Sequence, residues 1–254
     1  MNIQLPPNKK IYFASDFHLG APNHATSRKR EDRIVQWLET IKHDAAHIFL
    51  MGDLFDFWFE FKSVVPKGFV RFLGKLAQLS DEGIPITVFT GNHDMWMFGY
   101  FEQELGIVVN RKPATYTVGK ERFYLAHGDG LGPGDKVYQF LKKVFENRFF
   151  HWVFRTVHPD FGNWVATTWS SKSRHHNTTG EEDFRGEDEW LWQYAKEIEA
   201  KTHHNYYIFG HRHLPLELEV AENSKYINIG EWINYYTYGV YDGKKMELVK
   251  FGKK

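Results

Sequence analysis

Five stretches of the chain share one pattern: an apolar run with little alternation, a small or polar residue, and then Asp, Asn or His. They are Ile11-Tyr12-Phe13-Ala14-Ser15-Asp16-Phe17-His18, Ile48-Phe49-Leu50-Met51-Gly52-Asp53, Thr87-Val88-Phe89-Thr90-Gly91-Asn92-His93-Asp94, Phe123-Tyr124-Leu125-Ala126-His127-Gly128-Asp129 and Tyr206-Tyr207-Ile208-Phe209-Gly210-His211-Arg212-His213. Short continuous apolar runs predict strands covered on both faces. In open α/β sheets, ligands sit just beyond the carboxyl ends of strands. Five strand ends bearing Asp, Asn or His converge most simply on one metal site.

Between these runs the apolar spacing changes to that of helices. Ile34, Trp37, Leu38 and Ile41 fall on one helical face, behind a polar and basic segment, 21–33, that reads as a loop leading into the helix. Leu54 to Phe61 is unusually aromatic for a loop. Pro66 is expected to start the next helix, with Phe69, Phe72, Leu73, Leu76 and Leu79 on its apolar face and Gly83 at its stop. Pro85 to Thr90 is the third strand. Strand, helix, strand, helix, strand argues a layered α/β domain. Segments 114–118 and 122–126 flank Gly119-Lys120-Glu121 and read as a hairpin. After the strand near 206–210, segments 216–221, 225–229, 235–241 and 246–251 are short and turn-punctuated, and predict a second, antiparallel set of strands. The fold expected is an α/β sandwich of two sheets with flanking helices.

Residues 131–190 break this rhythm. The stretch 131–170 holds ten aromatic residues, and 131–176 carries seven Lys or Arg against three acids. An acidic patch of Glu181, Glu182, Asp183, Glu187, Asp188 and Glu189 follows, and Trp190, Leu191, Tyr194, Ala195 and Ile198 mark a return helix over 190–200. The division expected is a main domain of 1–130 and 191–254 with a helical cap insertion over 131–190.

Composition narrows the function classes. Lys+Arg and Asp+Glu both number 32, so the formal net charge is zero, which argues against a generic nucleic-acid binder. The chain has no cysteine, which removes disulfides, thiolate metal sites and cysteine nucleophiles. The apolar run after Lys9 and Lys10 is too short for a signal-peptide core, and no stretch approaches 18 apolar residues. A cytoplasmic protein is expected, with contact to a membrane surface left open by composition.

Asp16 and His18 stand two apart, as do His211 and His213. In an extended segment that spacing puts both side chains on one side. Asp53 offers two oxygens and could bridge two ions, while Asn92 and His127 add one donor each. Carboxylate, imidazole and amide together suit Mn²⁺, Fe²⁺ or Zn²⁺. Two such ions about 3.5–4 Å apart form a clamp for displacement at phosphorus. Taken singly, His18, His127 or His211 would read as a core histidine, and Asp56 as a helix cap or an acceptor behind the ligands. His24, His43, His47, His203 and His204 read as surface or structural, and His175 and His176 are ambiguous.

The order Asp-x-His, Gly-Asp, Gly-Asn-His-Asp, His-Gly-Asp, Gly-His-x-His resembles the calcineurin-like metallophosphoesterase superfamily, with all five motifs present from residue 16 to 213. The resemblance implies a metallophosphoesterase-type sandwich. One ion would be held by Asp16, His18, Asp53 and His213 and the other by Asp53, Asn92, His127 and His211. It implies that His93 stabilises the transition state or protonates the leaving oxygen, and that Asp94 orients its loop. Asp129 would accept from an imidazole N–H. A scaffold that had lost catalysis would be expected to lose ligands, and here the set is intact.

Asp16-Phe17-His18-Leu19, Gly52-Asp53-Leu54-Phe55-Asp56 and the long insertion after His127-Gly128-Asp129 are similar to UDP-2,3-diacylglucosamine diphosphatases of lipid A biosynthesis. Asp135 and Tyr138 match that family in type and spacing, and Ser171-Lys172 resembles a pair in its cap. The chain departs from the best-known branch at His93, where that branch has arginine; histidine is the general pattern and occurs in a second branch. The resemblance implies hydrolysis of a UDP-linked diacylglucosamine to UMP and 2,3-diacylglucosamine 1-phosphate, peripherally at the inner membrane, with two divalent ions, Mn²⁺ foremost. Asn92, His93, Asp135, Tyr138, Ser171, Lys172 and Arg174 would meet the substrate. The aromatic cap suits two acyl chains, since each buried CH₂ contributes roughly 0.8 kcal/mol. Basic residues such as Arg148, Arg155, Lys172 and Arg174 suit a diphosphate or anionic headgroups. The alternative is a metallophosphoesterase of soluble nucleotides or simple phosphodiesters, with the aromatics forming the cap's own core.

Overall fold

The computed structural model describes residues 1–132, 142, 144–145, 147–162, 164–165, 168 and 183–252. Among these, two six-stranded sheets face each other. The first contains β2 (Lys10–Ala14), β3 (Ala45–Leu50), β4 (Ile86–Phe89) and β5 (Val108–Asn110), all parallel, extended by antiparallel β11 (Thr237–Tyr241) and β12 (Met246–Lys250) in the order β12-β11-β2-β3-β4-β5. The second contains β1 (Asn2–Ile3), β6 (Ala114–Val118), β7 (Glu121–Leu125), β8 (Tyr206–Phe209), β9 (Pro215–Ala221) and β10 (Ser224–Ile229) in the order β1-β6-β7-β8-β10-β9. This is the two-sheet α/β sandwich that the apolar pattern predicts.

The continuous apolar runs are explained by three cores. Along β2, Ile11 and Phe13 point between the sheets, while Tyr12 and Ala14 point to the helices outside. Along β3, Phe49 faces inward and Ile48 and Leu50 outward. Along β8, Ile208 lies between the sheets, and Tyr207 and Phe209 lie in an outer core with Leu191 and Ala195. Side chains alternate faces with period two, so a strand covered on both sides reads as uninterrupted. Helices α1 (His24–Ile41) and α2 (Val70–Asp81) cover the first sheet, and α5 (Trp190–Glu199) covers the second. A short α3 (Tyr100–Glu104) precedes β5, and α4 (Arg148–Arg155) lies within the expected insertion.

Three expectations need correction. Residues 24–33 are helical, not a loop: Asn23 caps α1 by accepting from the Thr26 N–H, and Arg28 pairs with Glu31 and Asp32 at helical spacing. Pro66 does not start α2. That helix begins at Val70 after Phe69, whose φ is 56°, and its first N–H groups are satisfied by Glu31 of α1, which accepts from Arg71 N and Phe72 N at 3.0 Å each. The last four strands do not form a sheet of their own. β9 and β10 join β8, while β11 and β12 join β2. The alternation of those strands shows that each has two faces but not which neighbour it pairs with.

Register then delivers the site. In the first sheet Ala14 pairs with Leu50 and Leu50 with Val88; in the second, Leu125 pairs with Ile208. These parallel strands therefore end level with one another, and the loops after β2, β3, β4, β7 and β8 open at one edge of the sandwich.

Candidate metal centre

Three of the five loops, those after β2, β3 and β8, turn sharply at their site residues. Asp16 (φ 56°), His18 (43°), Asp53 (51°), His211 (65°) and His213 (57°) all adopt the left-handed backbone conformation. Side chains rarely tolerate it, Asp and His more often than most, and such residues gather at functional sites because the surroundings hold them there. Hydrogen bonds across the loops supply the hold. Asp16 N–H donates to Gly52 O at 3.0 Å, His18 N–H to Asp53 O at 2.9 Å and Trp232 N–H to Asp16 O at 3.2 Å. The His211 N–H donates to Asp16 Oδ2 at 3.0 Å and the His93 N–H to Asp53 Oδ1 at 2.9 Å. Glycine at position 52 is required by proximity as well as by its φ of 97°: a Cβ there would stand 2.6 Å from His127 Nδ1 and 2.8 Å from Gly91 N.

Six of the side chains meet in two neighbouring groups. Asp16, His18 and His213 form one: His213 Nε2 is 3.2 Å from Asp16 Oδ1 and 3.1 Å from His18 Nε2. Asp53, His127 and His211 form the other, with His127 Nε2 at 3.3 Å from Asp53 Oδ2. The same Asp53 Oδ2 lies 3.8 Å from His18 Nε2, which places it between the groups. Donor atoms about 2.1 Å from one ion stand roughly 3 Å apart, so these spacings suit shared cations.

The hydrogen-bond pattern agrees. Asp16 Oδ1, Asn92 Oδ1 and His127 Nε2 are buried and accept or donate no hydrogen bond. A buried polar atom left so is costly unless something else occupies it. On the far side of its ring, His127 Nδ1 donates to Met51 O at 2.8 Å, so the neutral imidazole has its lone pair on Nε2, the atom aimed at Asp53. Burial alone would lower the His127 pKa, but Asp53 overrides it and lifts the ring to about 10. For Asp16, burial pushes the carboxyl up, and His213 and His18 outweigh it and hold the pKa well below the usual range. Asp16 and Asp53 thus hold negative charge in the pocket, and a divalent cation bound there would take the place of a proton on His127.

Supporting residues surround this cluster. Asp94 is fully buried and accepts from Gly91 N at 2.7 Å, Leu54 N at 2.7 Å and Asp53 N at 3.3 Å, so it ties the β3 and β4 loops together. Burial and then the Asp53 charge push its carboxyl up to about 7. The His93 Nδ1–H donates to Asp56 O at 3.0 Å, and its ring meets that of His18 edge-on at 4.9 Å. Burial lowers the His93 pKa to about 4. Asp56 is buried with Oδ1 3.7 Å from His18 Nδ1 and starts no helix, which removes the cap reading, and its carboxylate, His18 and His93 form a further group of close donor atoms. Asp129, expected to meet an imidazole, forms an ion pair with Lys142 Nζ at 2.7 Å.

Asp135, Tyr138, Ser171, Lys172 and Arg174, expected to meet the substrate, lie outside the described residues, as do His175 and His176. Two supports escaped the sequence reading. Arg30, on what read as a loop, is buried and donates to His18 O at 2.6 Å. Glu189, counted in an acidic patch, is fully buried, and its Oε1 accepts from Arg212 Nε at 2.8 Å. An arginine between two predicted histidine ligands was the available signal for that pair.

Residues 9–215 match the model of the calcineurin-like phosphoesterase family. A UDP-2,3-diacylglucosamine hydrolase of Porphyromonas gingivalis is 41% identical, the match covering 94% of this chain and 96% of the relative. A protein of the same name from Shewanella sp. strain W3-18-1 is 24% identical over 88% of this chain and 89% of its own length. Among solved structures, a predicted phosphoesterase of Streptococcus pneumoniae aligns over 95% of this chain and 89% of its own at 12% identity, with a TM-score of 0.44. The order of motifs, the converging strand ends and a family match spanning all seven candidate ligands lead to one conclusion: this chain is a metal-dependent hydrolase of the calcineurin-like phosphoesterase family.

Proposed function

We propose that the chain cleaves the pyrophosphate bond of UDP-2,3-diacylglucosamine, giving UMP and 2,3-diacylglucosamine 1-phosphate. The observation that carries this is the union of an intact, largely buried ligand set with 41% identity along nearly the whole of a UDP-2,3-diacylglucosamine hydrolase. In this reading Asp16, His18, Asp53 and His213 hold one divalent ion, and Asp53, Asn92, His127 and His211 hold the other. Mn²⁺ is the ion favoured, with Fe²⁺ and Zn²⁺ suiting the same donors. When bound, such a pair supplies the positive charge that turns water into a nucleophile and polarises the phosphoryl oxygens.

The protein's own groups do the rest. Asp53 keeps one oxygen, Oδ1, on the His93 N–H, which fixes its carboxylate plane and leaves Oδ2 between the two groups of donors. A carbonyl only accepts, so the bond to Asp56 O keeps a proton on His93 Nδ1, and in this reading Nε2 is the ring atom that meets the leaving oxygen. Asp94 and Arg30 hold the loops that carry these groups.

The insertion supports a lipid substrate at a membrane surface. On α4 and just beyond it Phe149, Trp152, Phe161 and Trp164 are each more than half exposed, a concentration of large apolar side chains that suits acyl chains and a bilayer edge. No helix among the described residues is long and apolar enough to cross a membrane. The test is incubation of the Mn²⁺-loaded protein with UDP-2,3-diacylglucosamine and, separately, with UDP-glucose and an aryl phosphodiester. Release of UMP from the lipid at a kcat/KM at least about 100-fold above that for UDP-glucose is expected, since two buried acyl chains add far more than the ~2.7 kcal/mol this ratio requires. Equal turnover of UDP-glucose and the lipid would instead favour a hydrolase of soluble nucleotides.

A further inference from the structure

The loop carrying His211 and His213 is held from outside the two sheets. Arg212 is 1% exposed and Glu189 is 0% exposed. The guanidinium donates from Nε to Glu189 Oε1 at 2.8 Å and from a terminal nitrogen to Glu189 Oε2 at 3.3 Å, a two-point grip that a lysine cannot reproduce. The same terminal nitrogen reaches Asp183 O at 2.8 Å, and the guanidinium lies 5.4 Å from the ring centre of Trp190. All of these partners belong to residues 183–190, which lead out of the insertion into α5. Next in sequence, Leu191 fits against the other histidine loop: a Cβ on Gly128 would stand 2.9 Å from Leu191 Cδ1 and 3.3 Å from His211 Cβ.

Both histidines flanking Arg212 have left-handed backbones, at φ 65° and 57°. A strained turn persists only where its surroundings impose it. From the sheet side the turn is held by the bonds of the His211 N–H to Asp16 Oδ2 and of Asn228 Nδ2 to Gly210 O. From the other side it is held by Glu189. We infer that the buried Glu189–Arg212 pair positions the His211–His213 loop for metal binding, so that the exit of the insertion sets the geometry of ligands contributed to both ions. The inference rests on the dinuclear reading above. Glu189 and Arg212 are positioning residues in it and touch neither metal nor substrate.

The test replaces the pair by apolar side chains of similar size, Glu189→Leu with Arg212→Met. Replacing both members of a buried pair spares the fold where removing one does not. The metal-free double variant is expected to melt within a few degrees of the metal-free wild type. Titration with Mn²⁺, following the free ion by EPR, is expected to show affinity weakened by about 10- to 100-fold, the usual effect of losing a group that orients a ligand. A folded double variant that binds two Mn²⁺ as tightly as the wild type would overturn the inference. Should the double variant fail to fold, Arg212→Lys decides. It keeps the charge but loses the two-point grip, and weakened Mn²⁺ binding supports the inference whereas wild-type affinity sinks it. A wild-type protein that does not take up two ions is a separate result, which removes the dinuclear reading and this inference with it.

Discussion

At the scale of single residues, the site is built from side chains in unfavourable places. Five of the seven proposed ligands have left-handed backbones, and the two acids among them are fully buried. Asp53 is the most constrained. Its N–H reaches Asp94, Oδ1 accepts from His93 N, and Oδ2 lies 3.3 Å from His127 Nε2 and 3.8 Å from His18 Nε2. Asp53→Asn keeps the shape, the Oδ1 acceptor and a residue type that tolerates positive φ, but removes the charge between the groups. It is expected to fold with wild-type circular dichroism and to lose about 10³-fold in metal-dependent kcat, equivalent to about 4 kcal/mol of transition-state stabilisation. Wild-type turnover in that variant would refute the bridging role. These seven residues were legible in the sequence because each follows closely on an apolar run, within four residues of a strand end. Glu189 was not, since it stands 23 positions from Arg212 and among acids that suggest a solvated patch.

Elements were legible where burial on both faces left a continuous apolar signal, as in β2, β3, β4 and β8. They were obscured where a polar surface masked regular backbone, as in the first turns of α1. The start of α2 shows why local rules fail. Its N-cap, Phe69, has no side chain that accepts a hydrogen bond, and no acid lies in its first turn. Glu31 caps it from α1 instead, accepting from Arg71 N and Phe72 N while its other oxygen takes Arg28. A cap contributed by another helix leaves no signature near the helix it serves. Its removal is therefore a test of the packing of α1 on α2. Glu31→Gln keeps one amide oxygen for the two N–H groups but loses the charge. It is expected to lower the free energy of unfolding by about 1–2 kcal/mol in urea, the range for a lost cap or a charged hydrogen bond, with the m-value unchanged. No change in the midpoint would mean that a neutral amide oxygen serves those N–H groups equally well.

At the scale of the whole molecule, the two sheets are joined by an apolar layer containing Phe13, Phe49, Phe123 and Ile208, and at one edge by the metal-type side chains. Asp16, His18, Asp53 and Asn92 come from loops of the first sheet; His127, His211 and His213 come from loops of the second. Each proposed ion therefore has ligands from both sheets, and binding ties the sandwich together where its loops are strained. A ligand that binds only the folded state stabilises it by about 2.7 kcal/mol at a concentration 100 times its dissociation constant. Two ions at that level give about 5 kcal/mol. For a chain of this size each kcal/mol moves the melting midpoint by roughly 2–4 °C. Saturating Mn²⁺ is thus expected to raise the midpoint by at least about 10 °C over protein stripped with a chelator, and the chelator should reverse the rise. Asp53→Asn should forfeit most of the gain, because both ions share that carboxylate. Differential scanning calorimetry with and without Mn²⁺ makes the measurement, and identical midpoints in the two conditions would mean that no ion spans the sheets.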